Sequence, residues 1–167
     1  MPSEPLDADV RLQTLPGVRE HGPLRLAGLR GRFDPATGSS IPGLWDRLIA
    51  AMPIAGQAGG ETYGVTMPAG PDGGFDYLAA VPLAPGVPEP KGLEAVEIPA
   101  AGYAIFRLTI TGADLHSQMA AAFQESRRRL KQLGLQKARA PELEVYPPDF
   151  DQRRAGDVVE YWIPVSG

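Results

Sequence analysis

Apolar positions recur along this chain with two periods, and the order of those periods repeats. Val10, Leu12 and Thr14 alternate with Arg11 and Gln13, the pattern of a half-buried strand that ends in Leu15-Pro16. A second alternating stretch runs from Leu24 to Phe33. Ile41, Leu44, Trp45, Leu48, Ile49 and Met52 then fall on one face of a helix. Ser40 is placed to cap that helix, Pro42 suits its first turn, and Pro53 ends it. Two strands follow, Tyr63 to Pro68 and Phe75 to Leu83. The same series then recurs: a strand ending in Ile98-Pro99, a strand from Tyr103 to Ile110, and a helix from Leu115 to Leu133. Two closing strands follow, Glu142 to Pro147 and Val158 to Val165. In the second helix Asp114 is the cap and Gly134 the stop. Leu115, Met119, Phe123, Ser126, Leu130 and Leu133 form its inward stripe.

A duplicated strand–helix–strand–strand unit predicts an α+β fold of two similar lobes, with a ligand cleft at the seam between them. The first lobe spans about residues 10–83 and the second about 93–165 of a single domain. Between them, Pro85, Pro88 and Pro90 predict a stiff, extended crossover over 84–92. The chain has 20 glycines and 18 prolines, clustered between apolar runs at 34–43, 68–74 and 84–92, so they read as turns. Residues 1–9 read as a frayed tail.

Charge and composition narrow the function. A net charge of −4 argues against a broad nucleic-acid surface. The run Arg127-Arg128-Arg129-Leu130-Lys131 spreads around the outer face of the second helix and reads as a solvated surface. With no cysteine, thiolate metal sites and cysteine nucleophiles are excluded. No cofactor or metal is expected, since His21 and His116 lack partners at ligand spacing. The acidic, apolar-poor start and the absence of a long apolar run predict a cytoplasmic chain without membrane contact.

The chemistry lies in the second lobe. Period two places Glu142, Glu144 and Tyr146 on one strand face, and Leu143 and Val145 on the other. The helix is expected to cover the apolar face, which turns the acidic one toward cleft or water. A hairpin between the closing strands is expected to gather Glu144, Tyr146, Glu160 and Trp162. Carboxylates beside aromatic rings suit an organic cation. The competing reading is an exposed strand whose glutamates pair with Arg or Lys, and spacing alone leaves both open.

Four pieces carry a resemblance: a strand of the form "GLxGxF", a helix "LWxRL", and the endings "LEVYPPDFD" and "VEYWIPVS". Together with the duplication, they resemble the GyrI-like effector-binding domain family over about residues 8–165. The resemblance implies two SH2-like βαββ units related by a pseudo-twofold axis, forming antiparallel sheet with a central ligand groove. It implies that Glu144 neutralises a bound cation, that Tyr146 and Trp162 supply aromatic wall, and that Glu160 is a second acid. Val65 and Met67 stand at the corresponding places of the first lobe, which makes that side of the groove apolar.

The expected function is a stand-alone small-molecule effector-binding protein that senses or sequesters an amphipathic cation. A separate regulator protein would act as its partner, and direct sequence-specific DNA binding is not expected. The alternatives, also implied by the resemblance, are a hydrolase of cyclopropane-containing genotoxic compounds, with Glu144 acting on water and Tyr146 donating a proton, or a gyrase-inhibitor-like protective protein.

Overall fold

A computed structural model describes residues 11–34, 36–111 and 114–166, apart from the side chain of Ser39. The expected tail at 1–9 lies outside the described residues, as does Val10. Ten strands are described: β1 (Arg11–Thr14), β2 (Arg19–His21), β3 (Leu24–Phe33), β4 (Thr62–Thr66), β5 (Phe75–Pro82), β6 (Glu94–Ile98), β7 (Ala101–Thr109), β8 (Gln136–Lys137), β9 (Glu142–Tyr146) and β10 (Val158–Ser166). Two helices interrupt them, α1 (Ile41–Ala51) and α2 (Leu115–Gln132). Both helices and all the expected strands are found.

The strands form one antiparallel sheet in the order β1-β7-β10-β9-β4-β5-β3-β6, with β2 also on β7 and β8 also on β10. Three edge strands cross the chain's midpoint, β2 joining β1 on β7. β1, near the start, pairs with β7, whereas β6, just after the proline-rich segment, pairs back onto β3. Residues 84–92 contain no helix and make turns at Gly86 and Gly92, both at positive φ.

Each face of the sheet has its own apolar core. On one face, Leu26 of β3, Tyr63 and Val65 of β4, Leu78 of β5, Leu143 of β9 and Ile105 of β7 belong to a single buried cluster. β3 and β7 are far apart in the strand order, so their side chains meet only because the sheet curls toward that face. The outer face carries the helices. Leu44 and Leu48 of α1 pack on Tyr77, Ala79 and Val81, and Met119, Ala122 and Leu130 of α2 pack on β7 and β10.

The helix caps differ in chemistry. Asp114 accepts a hydrogen bond from the Ser117 amide at 3.1 Å, and Gly134 ends α2 at φ 72°. Ser40 makes no side-chain cap bond, so Pro42 carries the start of α1. The inward stripes are narrower than the sequence suggests: Ile49 is 61% exposed and Leu133 54%. The places assigned to charge are also more internal. Glu125 is buried, and Arg128 and Arg129 both bond to it; Arg129 also donates to the Leu12 carbonyl at 2.7 Å. The basic run is thus partly a brace between α2 and β1 rather than a free solvated face.

Candidate functional site

β9 lies at the centre of the sheet, between β10 and β4. Its two faces go opposite ways from the expectation. Leu143 and Val145 point into the helix-free core, and Glu142, Glu144 and Tyr146 point to the side that carries the helices. The physical reason is the curl of the sheet. The helix-free face closes on itself and is the drier one around β9, so it takes the apolar residues. α1 and α2 lie over the two flanks of the sheet, so the acidic residues of β9 sit in the gap between them.

That gap is a groove of about 390 Å³. Its floor is Glu142, Glu144, Tyr161 and Tyr77. Phe123 and Arg127 of α2 and Lys137 of β8 form one side. Ile41 of α1, Phe75 and residues 66–69 at and after the end of β4 form the other. Phe123 and Tyr161 meet with ring centroids 4.6 Å apart and planes tilted by 48°. On α2, Phe123 and Arg127 are four residues apart and so project from the same side.

Glu144 is 8% exposed. Its Oε1 accepts hydrogen bonds from the Tyr146 hydroxyl at 2.7 Å and the Tyr77 hydroxyl at 3.0 Å. Tyr77 in turn accepts from the Trp45 indole N–H at 3.0 Å, which ties α1 to the carboxylate. Among the described residues no cation pairs with Glu144. Burial is the largest influence on it and raises its pKa, because the charged form loses water that the two hydroxyls only partly replace. Burial, followed by the Glu144 charge, holds the Tyr77 and Tyr146 hydroxyls well above 10, so both remain donors.

Glu142 is treated differently. It is as buried as Glu144, 7% exposed. Tyr161 donates to its Oε1, Lys137 pairs with Oε2 at 3.2 Å, and Arg127 with Oε1 at 3.4 Å. Two cations and a phenol address one carboxylate.

The other expected site residues divide between the faces. In the β9/β10 hairpin Tyr161 stands opposite Glu144, Trp162 opposite Leu143 and Glu160 opposite Val145. Cross-strand partners share a face, so Glu160 and Trp162 lie on the helix-free side. The expected gathering of all four residues does not occur. Trp162 donates to Glu160 at 2.9 Å and lies near Tyr103 and His21, while Arg107 pairs with Glu160 at 2.7 Å. Val65 stands opposite Leu143 and is fully buried in the helix-free core, away from the groove. Met67 does border the groove. Tyr146 sits behind Glu144, against Trp45 and Phe150 at ring distances of 5.4 and 5.0 Å.

The residue opposite Glu144 on β4 is Gly64. A Cβ there would fall 2.6 Å from Glu144 Oε1 and closer still to the Tyr77 hydroxyl, so the bare glycine makes room for that hydrogen bond. Sequence reasoning missed Gly64, Tyr77 and Tyr161. Only Tyr161 carried a usable signal, since it alternates with Trp162 on a strand expected to pair with β9. Among the described residues no group of three or more His, Asp or Glu is arranged to hold a metal ion.

Residues 16–166 match the family model described as GyrI-like small molecule binding domain. The transcriptional regulator BrlR of Pseudomonas aeruginosa is 32% identical over 141 residues, which is 80% of this chain and 49% of that protein. The chain thus spans about half the length of this curated relative. Among solved structures, SAV2435 bound to tetraphenylphosphonium superposes with a TM-score of 0.71 at 22% identity, over 95% of this chain and 94% of that one. The integron cassette protein VCH_CASS2, from the mobile metagenome of Vibrio cholerae, gives 0.64 at 18% identity over 93% and 99% of the two chains. At these identities the two structures establish a common fold.

Proposed function

The chain belongs to the GyrI-like small molecule binding domain family, and from that premise we propose that the groove between α1 and α2 seats an amphipathic organic cation on Glu144. The observation that carries this reading is the state of Glu144: buried, facing an aromatic-lined groove and, among the described residues, hydrogen-bonded only by neutral hydroxyls. An uncompensated buried carboxylate is costly. A ligand cation placed against it restores the missing counter-charge, and Phe123, Tyr161, Tyr77 and Phe75 line the groove around its apolar body. SAV2435 with bound tetraphenylphosphonium supports this ligand class by analogy.

The strand order is also in favour. It reads β7-β10-β9 on one side of the central seam and β3-β5-β4 on the other. Each trio comes from one strand–helix–strand–strand run, which supports two SH2-like units about a pseudo-twofold axis through the β4/β9 pair, with the groove beside that axis. In this proposal the domain senses or sequesters its ligand, and a separate regulator protein reads the occupied state.

A hydrolase would use the same carboxyl, since a glutamate of raised pKa beside a phenol resembles an acid–base pair. Two features weigh against it. Glu160, the expected second acid, lies across the sheet, and the Tyr146 hydroxyl is already engaged as a donor to Glu144. The test is calorimetric titration of the purified chain with tetraphenylphosphonium, alongside product analysis for any compound that stabilises it. Saturable binding without turnover supports the binder. Consumption of the ligand replaces it with the enzyme, and no binding of any aromatic cation sinks the reading.

A further inference from the structure

The groove holds more positive charge than its own carboxylates require on one side, and less on the other. At the α2 side, Arg127 and Lys137 both pair with Glu142, whose oxygens also take the Tyr161 hydroxyl. One cation neutralises one carboxylate; the second is surplus. Arg127 uses a single guanidinium nitrogen on Glu142, at the loose distances of 3.4 and 3.5 Å, and its side chain is 52% exposed. A guanidinium has five N–H groups and an ammonium three, so donors from both residues remain for a ligand. At the other side Glu144 has no cation among the described residues, and both tyrosines address its Oε1, which leaves Oε2 as an acceptor. Glu142 and Glu144 are two residues apart on one strand face, hence about 7 Å apart.

Resting on the groove reading above, we infer that the ligand is dipolar: its cationic group sits on Glu144, and an anionic group on a short arm reaches the Arg127 and Lys137 donors beside Glu142. A simple cation satisfies only half of this arrangement. It also faces the surplus charge of Arg127 and Lys137, which repels it. A carboxylate or similar anion on a short arm turns that repulsion into charge-assisted hydrogen bonds. The positions of the two cations support the assignment. Lys137 is fixed by the pairing of β8 with β10, and Arg127 lies one helical turn after Phe123, the ring beside which the apolar body would rest.

The experiment uses three probes that share one body: butyltriphenylphosphonium, (4-carboxybutyl)triphenylphosphonium, and the methyl ester of the latter. Four methylenes span about the separation of the two glutamates. Binding to the intact chain is measured by calorimetry at low and at physiological salt. The carboxylate probe should bind about fivefold or more tightly than the butyl probe, and the ester should return to the butyl value. Arg127→Gln combined with Lys137→Gln should erase the advantage of the carboxylate. If that double variant fails to fold, the ester comparison on the unaltered chain still decides. Equal or weaker binding of the carboxylate probe, with the butyl probe bound, overturns the dipolar ligand and leaves the groove reading standing. Failure of all three probes to bind removes the groove reading and this inference with it.

Discussion

Tyr77 and Glu144 are 67 residues apart in the chain, yet the Tyr77 hydroxyl donates to the Glu144 carboxylate across 3.0 Å. The same hydroxyl accepts from Trp45. This single phenol joins α1, β5 and β9. Tyr77→Phe removes one of the two donors to Glu144 and leaves the Trp45 N–H without its acceptor. Urea unfolding should show a loss of about 1–3 kcal/mol, the cost of stranding buried polar groups. The indole emission should shift as well, since Trp45 loses its partner.

Glu144→Gln keeps the shape and removes the charge. Binding of tetraphenylphosphonium should weaken by roughly 1.5–3 kcal/mol. A neutral probe of similar shape, triphenylphosphine oxide, should change far less. Equal losses for both would assign the effect to packing and would end the electrostatic account.

The raised pKa of Glu144 has a definite sign in stability. The folded state holds this proton more tightly than the unfolded chain, whose carboxyl titrates near the ordinary glutamate value of 4.5. As pH rises from about there toward the folded pKa, the unfolded state loses the proton first, and stability falls. The stability difference between native chain and Glu144→Gln should follow that slope, with the native chain losing ground as pH rises. Cation binding favours the ionised form, so it should release a proton. Titrations in buffers of different ionisation enthalpy will detect that release. A pH-independent difference and no proton release would show that Glu144 is charged throughout.

Two glycines should respond in opposite directions. Gly64→Ala places a methyl against Glu144 Oε1 and the Tyr77 hydroxyl, so it should cost about 2 kcal/mol or more and weaken ligand binding. Gly43 lies in α1 with nothing within 4 Å of a built Cβ. Gly43→Ala should stabilise by about 0.5 kcal/mol, the gain in helix propensity. Thermal denaturation of both variants separates the local steric effect from a general intolerance of glycine replacement.

The elements of this fold were legible because local rules set them. The helical spacing of Leu44, Leu48 and Met119, the Asp114 cap and the Gly134 stop each act within a few residues. Glu144 was singled out for the same reason: a carboxylate alternating with Leu143 and Val145 is visible on one strand. The faces were harder. In this sheet both sides of β9 are buried, so alternation tells which residues share a side but not which side the helices cover. A hairpin register shifted by one residue also exchanges the two sets of side chains, and here it set Tyr161, not Trp162, beside Glu144. Tyr77 and Gly64 reach the site only through pairing across the sheet, which no local pattern encodes.

The exchange of edge strands bears on how the chain comes together. β1 and β2 complete the edge of β7, and β6 completes the edge of β3, so each side of the proline-rich segment supplies the other's missing border. A break within residues 84–92 would cut no sheet hydrogen bond. The two pieces would each expose an unpaired border and the buried flank of β4 or β9. Mixed, they should reassemble through three separate seams. The floor of the groove is split between them, with Tyr77 on one piece and Glu144 on the other, so a ligand held there would act as a clasp and its presence could be read as fragment complementation.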